Sequence, residues 1–411
     1  MALDILIEEL QGSIWTVALR DGKLEGLEVD PGNEQVRWGS VFWARISRID
    51  SALDAAFLDL DGTNTGILYN KDTRKRDKKT GKLVKGGAQA IGKTWRTGQM
   101  IAVQAKSAYL YDPEDKDAPA EKKYPRMSMD VTLSGRHLIY AVTETKNRVS
   151  SRITNPKLRD QLMAMMAKLE GMKGFILRSS AAGTQTDMLL RESKILKEAW
   201  EQMQKHLHGE KPALIMLGPD SIQRTLSDKA TDIIDSIEVV TMEHFNHVEE
   251  WSSIFAPDLV PKIQPVELEN AEDDLALFHE RDVMGQIEDL FQNYALLEHG
   301  GNIIIQETAA LTAIDVNKGG DRRGALSTNL EAAQEIARQV RLRNIGGIIV
   351  IDFINLKTKT EQKKMMAALQ EAINDDPCTV QIHGPSALGL VEMTRNRRTP
   401  PLQDRFSGLM D

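Results

Sequence analysis

Two strings near the C-terminal end hold the residue types best suited to chemistry: Ala313-Ile314-Asp315-Val316-Asn317 and Ile348-Ile349-Val350-Ile351-Asp352-Phe353-Ile354. Each is an apolar, β-branched run that stops at an aspartate. A run of this kind reads as a strand buried on both faces. A carboxylate at its end is poorly solvated and is tolerated only beside something positive. Two such carboxylates at the ends of adjacent strands suggest a bound cation. The competing reading is that both are ordinary strand-end aspartates capping the loops that follow.

The elements between the two strings position them. Thr328-Asn329 reads as a helix cap, and Glu331 sits in the first turn, where the helix dipole favours negative charge. Leu330, Ala333, Ile336, Ala337 and Val340 then share one face at helical spacing. Arg338, Arg341 and Arg343 lie towards the helix C-terminus, and Gly346-Gly347 end it. Strand, helix and strand in this order predict two parallel, adjacent strands. Asp315 and Asp352 then stand side by side at the C-terminal edge, where α/β sheets place their ligands.

Composition narrows the classes. The chain has 411 residues and a net charge of -8, which argues against a general polyanion binder. Any nucleic-acid contact must come from local patches. Cys378 is the single cysteine, so neither a disulfide framework nor a cysteine-built zinc site within one chain is expected. No apolar run approaches the roughly 20 residues a bilayer span needs. The first residues lack a basic segment ahead of an apolar stretch, so the expected location is cytoplasmic.

The rest of the chain reads as several α/β units. Residues 1–36 hold three short strands with Asp21-Gly22 as a hairpin turn, too few to bury a core alone. Residues 37–123 read as a small barrel of the oligonucleotide-binding type. Within it, 71–87 is a basic insertion with Lys71, Arg74, Lys75, Arg76, Lys78, Lys79, Lys82 and Lys85 against Asp72 and Asp77. It reads either as a solvated loop or as an electrostatic arm for phosphates. Trp43 and Phe57 either fill the barrel or offer stacking platforms for bases. In 124–210, Arg178-Ser179-Ser180 follows a strand and could cradle a phosphate. Residues 211–278 open with the strand 213–217 and show no catalytic cluster. Residues 279–411 contain the two aspartate strings.

Together these strings resemble one family, the ribonuclease E/G endoribonucleases. Leu311 to Asn317, Asn329 to Ala333, Ala337 to Arg343, Gly346 to Ile354 and Gly389 to Arg395 resemble its catalytic motifs. Ala44-Arg45-Ile46, Ala55 to Asp59 and Gly66-Ile67-Leu68 resemble its RNA-binding barrel. The resemblance implies an RNase H-like domain (1–36 and 211–278) interrupted by an OB-fold barrel (37–123) and a 5′-sensor region (124–210). A DNase I-like catalytic domain (279–411) follows. It implies that Asp315 and Asp352 hold magnesium, with manganese as the substitute, and that Asn317 orients the carboxylate or the attacking water. Phe57 and Lys123 would contact single-stranded RNA, and Arg178 with Ser179 would hold a 5′-monophosphate.

Four departures from the pattern stand out. The chain ends soon after Pro400-Pro401, so no zinc-linked dimer is expected, and the oligomeric state is left open. The loop 318–327 is short and carries Asp321-Arg322-Arg323. Ile67 replaces a second barrel aromatic, and Ala309 replaces an expected glutamate. Hard oxygen donors suit magnesium or manganese and not zinc. Arg338, Arg341, Arg343 and Arg395 are candidate contacts for the RNA backbone. The expected activity is magnesium-dependent endonucleolytic cleavage of single-stranded RNA, leaving 5′-phosphate and 3′-hydroxyl ends. The competing readings are a non-catalytic RNA-binding protein of the same ancestry and a nuclease acting on DNA.

Overall fold

The computed structural model describes residues 2–76, 83–110, 124–153, 155–169, 171–268 and 274–406. The chain forms two compact units of mixed α/β structure. One comprises Met1–Pro31, Asp232–Glu250 and Asp258–Asp411; the other comprises Gly32–Thr231 and Trp251–Pro257.

In the first unit, the strands Leu3–Leu10, Ser13–Arg20 and Lys23–Asp30 make an antiparallel meander. Asp21 and Gly22 turn the second hairpin with φ of 51° and 76°, as a tight turn matched to strand twist requires. The meander finds its missing partner far along the chain. Leu3–Leu10 pairs in parallel with Ile234–Val239, which pairs in parallel with Ile263–Pro265. Trp15, Val17, Leu27 and Phe278 lie in its core.

The second sheet of this unit runs in the order Tyr294–Leu296, Asn302–Glu307, Thr312–Asn317, Gly347–Asp352, Val391–Arg395, Val380–Pro385. Only the central pair is parallel; every other neighbour is antiparallel. The helix Ala325–Leu342 makes that crossover and buries Ala333, Ile336, Ala337 and Val340 against Ile314, Val316, Ile349 and Ile351. Each buried valine or isoleucine stabilises the unit by about 1.5–3 kcal/mol, and each alanine methyl by roughly 0.8 kcal/mol. The helix Lys359–Ala372 adds Met365 and Leu369 to the same core, its start fixed by a capping box of Thr358 and Glu361.

Along both aspartate strands burial alternates: Ile314, Val316, Ile349 and Ile351 are buried, while Ile348 is 51% exposed. The expectation of strands buried on both faces is therefore corrected. Antiparallel neighbours on either side leave one face of the sheet open to water.

In the second unit, Val41–Asp50, Ala55–Asp59, Thr65–Tyr69, Arg126–Ser128 and Met100–Ala105 pair in sequence, and the last closes on the first. The result is a five-stranded barrel filled by Phe42, Ile46, Leu58, Leu68, Val103 and Met127. Gly66 has no room for a side chain, since a Cβ there would lie 2.6 Å from Met127 Cγ. Ala213–Met216 pairs with Val41–Asp50. A four-stranded sheet of Thr132–Ser134, Leu138–Ala141, Phe175–Leu177 and Arg148–Val149 shares a core with the helices Pro156–Met166 and Thr186–Gln204. Among the described residues no helix is long and apolar enough to cross a membrane.

Candidate functional site

The parallel register sets Asp315 directly beside Asp352. Both carboxylates lie on the open face and are exposed, so the inference from poor solvation is corrected. Neighbouring strands run about 4.8 Å apart. At that spacing two carboxylates repel by roughly 1 kcal/mol in a water-like dielectric, a cost the fold tolerates without an ion and a divalent cation would reverse. Among the described residues neither carboxylate accepts a backbone N–H. Asp315 Oδ2 instead accepts from Asn317 Nδ2 at 2.9 Å. The loop-capping alternative thus lacks the bonds that define it. Paired exposed carboxylates with an amide alongside form a hard donor set that fits a divalent cation retaining water ligands.

The helix behind the sheet fixes this edge. It begins at Ala325, after Gly324, so Thr328 and Asn329 lie inside it and are not its cap. Both are fully buried. Asn329 Nδ2 donates to Ile354 O at 2.7 Å, and Ile354 N donates to Asn329 Oδ1 at 3.1 Å. That two-way clamp holds the chain two residues beyond Asp352. Thr328 Oγ1 donates to Asp321 Oδ2 at 2.8 Å, tying down the loop that follows Asn317. Asn329 was visible in the sequence as a polar residue on the buried stripe, four positions before Ala333. Arg323 donates to Asp321 and to Glu331. Its hydrogen bonds hold the Asp321 carboxyl well below the usual carboxylate range.

The four arginines divide. Arg343 is buried, donating to Gln339 Oε1 at 2.6 Å, Tyr294 O at 3.2 Å and Gln292 O. Burial lowers its pKa to about 10. Arg395 is buried against Asp376. Neither has a face to offer RNA, and the expectation that they contact it is corrected. Arg338 pairs with Glu335 at 3.2 Å, and Arg341 donates to Ala372 O at 3.1 Å, so both are partly committed to the fold.

On the barrel, Phe57 points away from the interior but is itself only 8% exposed, with Arg48 and Tyr124 against its ring, so a base that stacks on it must displace a covering side chain. It packs with Ala55, Ile67 and Tyr69 in a small separate cluster on the outer side. The register aligns Arg48, Phe57, Ile67 and Arg126 across four strands. The Arg48 guanidinium lies 4.1 Å from the Phe57 ring centre, and Tyr124 meets Phe57 edge-on at 5.3 Å. Lys71 and Arg126 approach the Tyr69 ring at 6.0 and 5.8 Å. Rings interleaved with cations are what single-stranded nucleic acid stacks on and pairs with. Sequence reasoning found Phe57 but missed Arg48, Tyr69, Tyr124 and Arg126; strand alternation from Ile67, which pairs with Phe57, would have indicated Tyr69 two residues along the adjacent strand. Lys123 and residues 77–82 of the basic insertion lie outside the described residues.

Arg178 donates to Ser227 O at 3.0 Å and Gly135 O at 3.3 Å and pairs with Asp228 at 3.2 Å, while Ser179 is exposed. A phosphate there would compete with Asp228. Nearby, Glu192 accepts the backbone N–H groups of His137 and Leu138 at 3.0 and 2.9 Å. Burial pushes its carboxyl up to about 7.

Comparison with known proteins adds the ancestry. Residues 132–398 match the model of the Ribonuclease E/G family. Ribonuclease G of Salmonella typhimurium is 29% identical over 411 residues, covering 97% of this chain and 80% of that protein. Ribonuclease E of Escherichia coli is 31% identical over 418 residues, covering 97% of this chain and 37% of that protein. With the paired aspartates and their asparagine inside the family match, the chain belongs to the ribonuclease E/G family.

Proposed function

We propose that this endoribonuclease cleaves single-stranded RNA at the Asp315–Asp352 edge, using magnesium and leaving 5′-phosphate and 3′-hydroxyl ends. The observation that carries the reading is the register pairing of two exposed carboxylates that accept no backbone N–H. Asp315 and Asp352 would hold the ion, which when bound supplies positive charge at the phosphoryl group and lowers the pKa of water. Asn317 fixes the rotamer of Asp315 through its 2.9 Å hydrogen bond. The Phe57 face would hold RNA bases by stacking, while Arg48 and Arg126 would meet phosphates on leaving their partners Asp50 and Asp72. Arg178 and Ser179 would receive a 5′-monophosphate when it displaces Asp228. In the same reading the meander sheet belongs to an RNase H-like domain and the aspartate sheet to a DNase I-like one. A purely RNA-binding role leaves the pairing of Asp315 with Asp352 without a purpose.

A 5′-monophosphorylated, single-stranded, A/U-rich RNA incubated with the protein and magnesium tests the reading. Wild type should cut it, and Asp315→Asn or Asp352→Asn should lower the rate by more than about a hundred-fold. No cleavage by wild type, or unchanged cleavage by both variants, refutes it. Equal rates on a triphosphorylated twin would remove the 5′-phosphate role of Arg178.

A further inference from the structure

We propose that the loop 318–324 is a phosphate clamp, in which Lys318 and Arg322 grip RNA phosphates flanking the bond cut at the Asp315–Asp352 edge. The proposal rests on the reading of that edge as the reacting site.

The loop leaves the sheet directly from Asn317 and is braced from three sides. Asp321 N donates to Lys318 O at 3.0 Å, closing a turn, and Gly320 N donates to Gly300 O at 2.9 Å. Gly319 has φ of 51°, and a Cβ there would lie 2.5 Å from Gly300 O. The turn therefore sits backbone to backbone on the hairpin before Asn302, an approach only glycine allows. Inside the loop, buried Asp321 accepts from Thr328 Oγ1, from Arg323 N at 2.8 Å and from the Arg323 side chain. Arg323 also reaches Glu331, which accepts from His299 N at 3.3 Å. The loop's one acidic group and one of its two arginines are thus consumed internally.

Two cations are left over. Lys318 and Arg322 are exposed, and among the described residues no hydrogen bond or ion pair engages either side chain. One follows Asn317 immediately, and the other lies one residue beyond the turn that Asp321 closes. Unpaired cations on a floppy loop would be an ordinary solvated surface. Here the backbone that carries them is fixed before any ligand arrives, so binding orders only the side chains. A guanidinium and an ammonium together suit phosphate oxygens: the first offers a planar fork, the second a point charge. The loop also brings positive charge onto the chain just where it leaves the strand of Asp315, whose carboxylate would otherwise repel a polyanion.

The test is RNA binding without cleavage. Fluorescence anisotropy of a labelled single-stranded 12-mer in EDTA is read across a salt series. Each phosphate neutralised on a single strand contributes about 0.7 to the slope of log Kd against log salt. Lys318→Ala and Arg322→Ala should each lower the slope by about 0.7 and, at 0.1 M salt, weaken binding about 5-fold. The double variant should lower it by about 1.4. Lys364→Ala, an exposed lysine on the helix Lys359–Ala372, removes the same charge elsewhere and should leave the slope near wild type. Melting curves superimposed on wild type confirm folding. The proposal is overturned if the loop variants bind like wild type, if Lys364→Ala lowers the slope equally, or if wild type binds no RNA. A wild type that binds with the expected loop dependence yet does not cut would refute the nuclease reading alone.

Discussion

Replacing Arg395 by methionine is expected to lower the melting temperature sharply while leaving the RNA affinity of the folded protein unchanged. Arg395 and Asp376 have side chains only 2% exposed each. Arg395 Nε donates to Asp376 Oδ2 at 2.8 Å, and Nη1 donates to Asn344 Oδ1 at 3.0 Å and Ile345 O at 2.8 Å. The side chain thereby ties the last strand residue to the end of the crossover helix and to the turn before Val380–Pro385. Methionine fills much of the volume but leaves the Asp376 carboxylate buried, with the Cys378 N–H at 2.7 Å as its remaining donor. Breaking a buried pair from one side costs about 3–5 kcal/mol. The unit that holds it has about 200 residues, where each kcal/mol moves the melting temperature about 2–4 °C. The expected drop is therefore about 6–20 °C. Removing both partners, Arg395→Met with Asp376→Leu, should recover the part due to the stranded carboxylate but not that due to Asn344 Oδ1 and Ile345 O, which still lose their donor. Thermal melts followed by circular dichroism read the stability, and anisotropy with single-stranded RNA at 20 °C reads the affinity. A melting temperature within about 2 °C of wild type, combined with weakened RNA binding, would refute this assignment and return Arg395 to the RNA surface.

Two further outcomes follow from the second unit. Phe57→Ala should weaken binding of single-stranded RNA by about 1–3 kcal/mol, the usual worth of a stacked base, whereas Phe57→Tyr should retain it; equal affinities for all three proteins would dismiss the barrel face as a platform. Glu192 has its carboxyl raised from 4.5 to about 7, chiefly by burial. The folded state then binds the proton more tightly than the unfolded one, so stability falls as pH rises from about 4.5 to 7, by at most about 3 kcal/mol. Glu192→Gln should abolish that fall, melting above wild type at pH 8 and close to it at pH 4.5. Parallel pH profiles for the two proteins would show that Glu192 does not titrate in this way.

The pairing of Asp315 with Asp352 was legible because strand, helix and strand at this spacing admit one handed solution, and the apolar stripe from Ala333 to Val340 marked the covered side. The exposure of the opposite side was not legible. A run such as Ile348-Ile349-Val350 reads the same whether one face is covered or two, and only the antiparallel neighbours from distant segments decide it. The arginines failed for a related reason. Arg343 and Arg395 find carbonyls and a carboxylate from positions remote in sequence, Gln292, Tyr294 and Asp376. Helical spacing reveals which residues share a face, but not which long side chains turn back into the core. Tyr124 joined Phe57 through barrel closure, which no local pattern encodes. Thr328 and Asn329 suit a cap by type, but inside the helix and fully buried the same hydrogen-bonding capacity serves the neighbouring loop and strand instead.

The open setting of the two aspartates reshapes the physical basis of the proposed chemistry. A buried pair would demand an ion simply to exist, and its affinity would come largely from relief of desolvation. An exposed pair makes no such demand, so any ion it holds must gain from geometry. That geometry is set from behind: the Asn329 clamp fixes the chain after Asp352, and the Asp321–Thr328–Arg323 network fixes the chain after Asn317. Rigid backbone on the helix side and free water on the other is the combination a hard cation favours, since magnesium gives up its waters reluctantly and takes one or two carboxylates together with substrate phosphates. In the proposed reading two protein ligands would suffice because the RNA would complete the site, and metal affinity measured with RNA present should then exceed that measured without it.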